Sequence, residues 1–342
     1  MRPLYCACTQ PVFHDNTDCG NCGRTLGFDP MTLQMHSANS TPEGLLRDDE
    51  GNLFQLCANR RQYSVCNGLV PLGTTPDADA LCNTCLLNRT IPVVTRKKNL
   101  NRWQRLESAK RRCVAGLTAI GLEAGAGNGN QAGPMRFDFI EDKRSHPDVL
   151  EQFVSTGHKD GLITINLMEA DEIQRVQQRE LSGERYRTLL GHFRHEAGHY
   201  FYPQLVTDHT RFVTLFGDPT LNYETALRIY YDNGPPPDWG QLFISAYASS
   251  HPLEDWAECF AHFLHLRDTL ETAVAYGLIT EDIDNASVSQ QLHLWGDFIV
   301  SLNETNRSLG LRDPYPFVIN GAVADKLTFV QQTIDALAAS RL

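Results

Sequence analysis

The segment His195-Glu196-Ala197-Gly198-His199 sets two imidazoles four residues apart with a carboxylate beside the first. On a helix, positions i and i+4 share a face, so both rings can reach one metal ion. Glu196 is then placed to take a proton from a water held on that ion. A hydrolytic zinc site needs a third protein ligand and leaves its fourth position to water. Residues 247–260, YASSHPLEDWAECF, offer that ligand. Glu254 and Glu258 lie four apart on one face of a helix expected to begin near Pro252. One of them would bind zinc while the other accepts the free N–H of a ligand histidine, a contact that orients the ring. Asp255 points roughly 100° away from Glu254 and cannot share that face. Trp256, Phe260 and Phe263 imply that the segment is buried, and buried carboxylates call for a metal or a cation nearby.

Eight of the ten cysteines precede residue 90, in two clusters. Cys8, Cys19 and Cys22 read C-x10-C-x2-C, with Cys6 in front. Cys82 and Cys85 form a second knuckle, preceded by Cys57 and Cys66. Four-cysteine sets of this kind signal structural zinc where thiols stay reduced. The expected sets are Cys6, Cys8, Cys19, Cys22 and Cys57, Cys66, Cys82, Cys85; an interleaved arrangement is also compatible with the spacing. The leading C-x-C departs from the usual C-x2-C knuckle. Cys113 and Cys259 lie in apolar helical patterns and are expected in the core.

Hydrophobic residues make up 42% of the 342-residue chain, enough for a sizeable core. No apolar run approaches the roughly 18 residues that span a bilayer. The first nine residues hold no apolar signal segment, so the expected location is cytoplasmic, away from membranes. The net charge of -11 is uneven: residues 1–115 carry 14 basic and 10 acidic groups, the remainder 16 and 31. The larger, acidic part is a poor match for nucleic acid, which calls for basic surface.

These residues need elements to position them. Few windows before residue 95 show a helical or strand period, as expected where metal holds the fold. Trp103, Leu106, Cys113, Val114, Leu117 and Ile120 then mark an amphipathic helix. The Gly-rich stretch 123–134 lacks a phosphate-loop pattern and reads as a connector. Strands are expected over 135–140 and 161–167, the second a candidate edge strand for adding an extended substrate. Helices are expected over about 169–181, 185–202, 222–232, 252–272, 286–303 and 323–340. The fold class is therefore α+β: a zinc-ribbon module over 1–95 and a mostly helical, zincin-like domain over 96–342. The basic run Arg96, Lys97, Lys98, Arg102, Arg105, Lys110, Arg111 and Arg112 reads as a solvated helix face. His262 and His265 are expected to pack, and His158 or His192 to line the site.

From the N-terminal cysteines to about residue 310, the chain resembles a family of zinc-binding metallopeptidases with an N-terminal zinc ribbon. The resemblance rests on Asn88-Arg-Thr-Ile-Pro92, Glu107-Ser-Ala-Lys-Arg-Arg112, Thr156-Gly-His-Lys-Asp-Gly161, Glu169-Ala-Asp171, the stretch from Tyr186 to Glu196, and His251-Pro-Leu-Glu-Asp-Trp-Ala-Glu258. The 247–260 segment is also similar to the catalytic domain of anthrax lethal factor. That resemblance implies a gluzincin-like site in which Tyr247 stabilises the oxyanion, His195, His199 and Glu254 bind zinc, and Glu258 supports a ligand. The implied function is hydrolysis of peptide bonds in a peptide or protein substrate, with one catalytic and two structural zinc ions. The ribbon is a candidate for docking a protein partner. Two other functions remain open to the same motif: a zinc-binding adaptor without turnover, and a metal-dependent amidase acting on a small molecule.

Overall fold

The computed structural model describes residues 2–73, 75–125, 133–182, 188–283 and 285–340. It divides into two compact units, Arg2–Gln174 and Arg175–Leu342.

The first unit opens with a short antiparallel pair, β1 (Leu4–Tyr5) and β2 (Pro11–Val12). An antiparallel sheet follows in chain order: β3 (Thr25–Asp29), β4 (Gln34–Ser40), β5 (Leu46–Arg47), β6 (Leu53–Leu56) and β7 (Leu69–Pro71), with α1 (Ala58–Tyr63) between the last two. These strands escaped the sequence reading for a physical reason. They are two to seven residues long, and the longest, QMHSANS, is mostly polar. Such segments are too short or too polar to show a period.

Next come β8 (Asn88–Thr90), α2 (Lys97–Ala119), β9 (Arg136–Ile140), β10 (Gly157–Lys159) and β11 (Leu162–Asn166). The four strands form a mixed sheet in the order β10-β11-β9-β8. Strand β11 thus lies between β9 and β10 and is no edge strand, which corrects the expectation that it could accept an extended substrate by strand addition. Most of the expected Gly-rich connector, residues 126–132, lies outside the described residues.

Helix α2 buries Trp103, Leu106, Cys113, Val114 and Leu117, as its periodicity requires. Its basic run is only in part the solvated face expected: Lys97, Lys98 and Arg105 are exposed, but three others are not. Lys110 and Arg111 are almost wholly buried and Arg102 nearly so. Lys110 pairs with buried Glu107 at 2.7 Å. Glu107 also accepts from Asn88 Nδ2 at 2.6 Å and from Trp103 Nε1 at 2.9 Å. The Lys110 ammonium stands over the rings of Phe137 and Phe139. Arg111 donates to the Phe28 carbonyl at 2.7 Å, Arg96 pairs with Glu141, and Arg102 pairs with Asp171. Buried charges persist only when paired or hydrogen-bonded. The Asn88 and Glu107 motifs are therefore one interior network. Through it and the β8–β9 pairing, the first compact unit takes in residues on both sides of residue 95 and extends to Gln174.

The division between units falls within α3 (Glu172–Ser182). The second unit is helical: α4 (Leu189–Leu205), α5 (His209–Phe216), α6 (Tyr223–Asn233), α7 (Pro252–Ala275), α8 (Val288–Ser308) and α9 (Gly321–Ala339). The expected start of α4, at 185, lies outside the described residues. Thr188 caps that helix by accepting from Gly191 N, and His251 caps α7, with Pro252 in the first turn. Trp256 centres an aromatic core with Tyr202, Phe212, Phe216, Phe260 and Phe329. A second cluster gathers Leu266, Leu270, Trp295, Ile299 and Tyr315. The architecture is α+β, with the sheets in the first unit and a mostly helical second unit. No helix among the described residues is long and apolar enough to cross a membrane.

Candidate metal centre

The HExxH residues lie on α4, and the paired glutamates lie on α7. The two helices meet at Gly198 and Ala257. A Cβ on Gly198 would stand 3.0 Å from Ala257 Cα and 3.3 Å from its carbonyl oxygen. Backbone cannot yield as a flexible side chain can, so this approach requires glycine. Trp256 Nε1 ties the helices further by donating to the Gly198 carbonyl at 2.9 Å. Each contact residue immediately precedes a candidate site residue, His199 on α4 and Glu258 on α7.

This crossing brings three donor groups together. His195 Nε2 lies 3.0 Å from Glu254 Oε2 and 3.2 Å from His199 Nε2, which is itself 3.2 Å from Glu254 Oε1. Ligands bonded tetrahedrally to zinc at about 2.0–2.1 Å stand about 3.3 Å apart. The separations thus fit a shared ion. The other nitrogen of His195, Nδ1, stands 2.7 Å from Glu258 Oε1. Glu258 Oε2 accepts from Ser245 Oγ at 2.6 Å, and Ser245 Oγ accepts from Ala248 N at 3.1 Å. An Nδ1–H donated to Glu258 leaves the Nε2 lone pair directed at His199 and Glu254. Two imidazole nitrogens and a carboxylate converging in this way form a donor set suited to a divalent cation.

The carboxylates make this point attractive to positive charge, whether a proton or a bound cation. Burial opposes charging of His195, but Glu254 and Glu258 outweigh it and favour positive charge there. Burial opposes ionisation of Glu254, yet His199 and His195 hold its carboxyl well below the usual range. Glu258 is likewise brought down to about 2, its burial overcome by the His195 contact. Glu196 is buried on α4, and its charge acts on both Tyr223 and Tyr247. The Tyr247 ring lies 6.0 Å from that of His195. Burial and then the Glu254 charge push its phenol well above the ordinary value, so it remains a hydrogen-bond donor.

Asp255 turns away from this group and pairs with buried Lys326 at 2.6 Å. His262 bonds the Tyr315 hydroxyl, and His265 contacts Arg194 at 2.7 Å. Burial pushes His262 down to about 4 and His265 well down too, so both pack as neutral rings. His158 accepts from Gly161 N at 3.1 Å in the β10–β11 turn, while His192 is half-buried on α4. Sequence reasoning missed two residues at the centre. One is Ser245; the other is Tyr223, whose hydroxyl donates to Glu254 Oε1 at 2.6 Å from 31 positions away. No local spacing ties either to the motif.

The cysteines gather in two sets without interleaving: Cys6, Cys8, Cys19, Cys22 and Cys57, Cys66, Cys82, Cys85, with the sulfurs of each set within 4.8 Å of one another. Cys6 and Cys22 sulfurs are 3.6 Å apart, as are those of Cys8 and Cys19. Tetrahedral zinc with bonds of about 2.3 Å would place them about 3.8 Å apart. Gly23 at φ 73° turns the chain after the Cys19–Cys22 knuckle, and Thr9 at φ 67° does so after Cys6 and Cys8. The Gln10 backbone and the Asn21 side chain lower the Cys8 thiol to about 6, which favours the thiolate that metal requires. In the second set all four cysteines are buried. A Cβ on Gly68 would lie 2.4 Å from Cys82 Sγ, so the backbone closes directly over that cluster. Cys113 and Cys259 are buried core residues.

Residues 99–333 match the family described as "Putative zinc-binding metallo-peptidase", and residues 4–96 match a zinc-ribbon domain. Among curated proteins, one from Mycobacterium bovis and two from strains of Mycobacterium tuberculosis, all named as uncharacterised, are each 36% identical to this chain over 350 residues. The alignments cover 99% of this chain and 96% of each relative. No solved structure matches. With more than half its length matched, the chain belongs to this zinc-binding metallopeptidase family and carries an N-terminal zinc ribbon.

Proposed function

We propose that the protein is a gluzincin-like zinc peptidase that hydrolyses peptide bonds, with His195, His199 and Glu254 as the ligands of one catalytic zinc ion. The observation that carries this reading is the approach of their three donor groups to 3.0–3.2 Å, with Glu196 buried on the same helix. Zinc, when bound, supplies Lewis acidity and lowers the pKa of a coordinated water to about 7. Glu196 takes the proton of the attacking water and passes it to the leaving amine. Tyr247, kept protonated, donates to the oxyanion as it develops. Glu258, itself held by Ser245, fixes the ring of His195.

The two cysteine sets hold structural zinc, which contributes folding free energy directly. In functional terms residues 1–95 form the ribbon, which docks a protein partner, and residues 96–342 form the peptidase. Reduced metal-binding thiols suit the cytoplasm. The substrate is a peptide or protein, and the acidic C-terminal part argues against nucleic acid.

The test is incubation of zinc-loaded wild type and Glu196→Gln with a peptide mixture, with products identified by mass spectrometry. Cleavage by wild type that disappears in the variant, with zinc and fold retained, is the expected result. Equal cleavage by both, or no cleavage by fully loaded wild type, contradicts the proposal.

A further inference from the structure

Glu254 has a partner outside the proposed ligand set. The Tyr223 hydroxyl donates to its Oε1 at 2.6 Å, and a hydrogen bond to a carboxylate is among the stronger ones. Tyr223 is the first residue of α6, a helix with no buried residue. Core packing therefore does not fix it in place. His251 does so instead. Its Nδ1 accepts from Leu253 N at 3.1 Å, capping the helix that carries Glu254. Its Nε2 donates to the Leu221 carbonyl at 3.1 Å, holding the chain two residues before Tyr223. One acceptor and one donor nitrogen define a single neutral tautomer. The His251 ring also meets the Tyr223 ring edge-on, with centroids 5.1 Å apart.

We propose that Tyr223 is a positioning residue of the metal centre: held by His251, it engages Glu254 Oε1 and fixes the carboxylate in the orientation that faces His195 and His199. The inference rests on the peptidase reading and deepens it. A carboxylate already oriented by a hydrogen bond has less freedom to lose on taking up an ion, and contacts of this kind around a ligand raise metal affinity.

The test uses the full chain with cobalt(II) as the probe at the catalytic site, comparing wild type, Tyr223→Phe, His251→Asn and the double variant. Asparagine keeps a cap for α7 but cannot span to Leu221. Cobalt affinity is read by chelator competition, and the ligand environment by visible absorption. Tyr223→Phe is expected to bind cobalt about 10–100-fold more weakly, as losses around a ligand do, and to show a changed visible spectrum. His251→Asn should shift both readouts in the same direction, and the double variant should be no worse than Tyr223→Phe, since the two residues act through one contact. Unchanged affinity and spectrum in Tyr223→Phe, with or without a change in melting temperature, overturn the inference alone. A wild type that takes up no metal at this site overturns both the peptidase reading and the inference.

Discussion

His195 Nδ1 and Glu258 Oε1 stand 2.7 Å apart across the facing helices α4 and α7. The contact gives the two glutamates of α7 different tasks: Glu254 faces the convergent Nε2 atoms, and Glu258 faces the opposite side of the ring. Replacing Glu258 by Ala should weaken zinc at the His195–His199 site by about 10–100-fold. Glu258→Gln should lose less, because its amide oxygen can still accept the Nδ1 hydrogen. Competition with a chelator of known affinity measures both. Equal affinities in wild type and Glu258→Ala would show that the contact does not support metal binding.

Gly198→Val tests the crossing of the two helices. The added side chain would meet the backbone of Ala257, starting with a Cβ contact of 3.0 Å. Forcing extra atoms into such a packed contact costs about 1–3 kcal/mol. It should also spread His195 and His199 from Glu254, lowering zinc affinity along with melting temperature. A variant that melts and binds zinc like wild type would mean that the helices do not depend on this approach.

Stability at low pH should be sensitive to Asp142. Its burial favours the neutral acid, but Arg144, Asn166 and the Val154 N–H outweigh it and bring the group down to about 2. A depressed carboxylate stabilises the fold above its unfolded pKa of about 3.9, and that contribution is lost as pH falls through the folded value. Asp142→Asn should therefore melt below wild type at pH 7, and the gap should narrow between about pH 4 and pH 2. Melting curves across that range measure it; a gap that stays constant with pH would contradict the assignment.

The metal chemistry was legible because its residues are close in sequence. The i, i+4 spacing of His195 and His199, and of Glu254 and Glu258, follows from helix geometry alone. Cys-x2-Cys knuckles are equally local. Tyr223 and Ser245 were not legible, since they reach the site through tertiary structure. The α2 cations misled for a related reason. A run of Lys and Arg normally marks solvent, and only the buried partners Glu107, Asn88 and the Phe28 carbonyl show why Lys110 and Arg111 lie inside. Helix α5 went unread although its signal was present: Asp208 caps it, and Phe212 and Phe216 recur at i, i+4.

The central claim is that His195, His199 and Glu254 hold one zinc ion apart from two in the cysteine sets, and the direct measurement is zinc per chain on purified protein by mass spectrometry. Wild type should carry three zinc ions. Glu254→Ala should carry two, and Cys82→Ser should also carry two, with a lower melting temperature because its loss is structural. Two zinc ions in wild type with no further loss in Glu254→Ala would contradict the account.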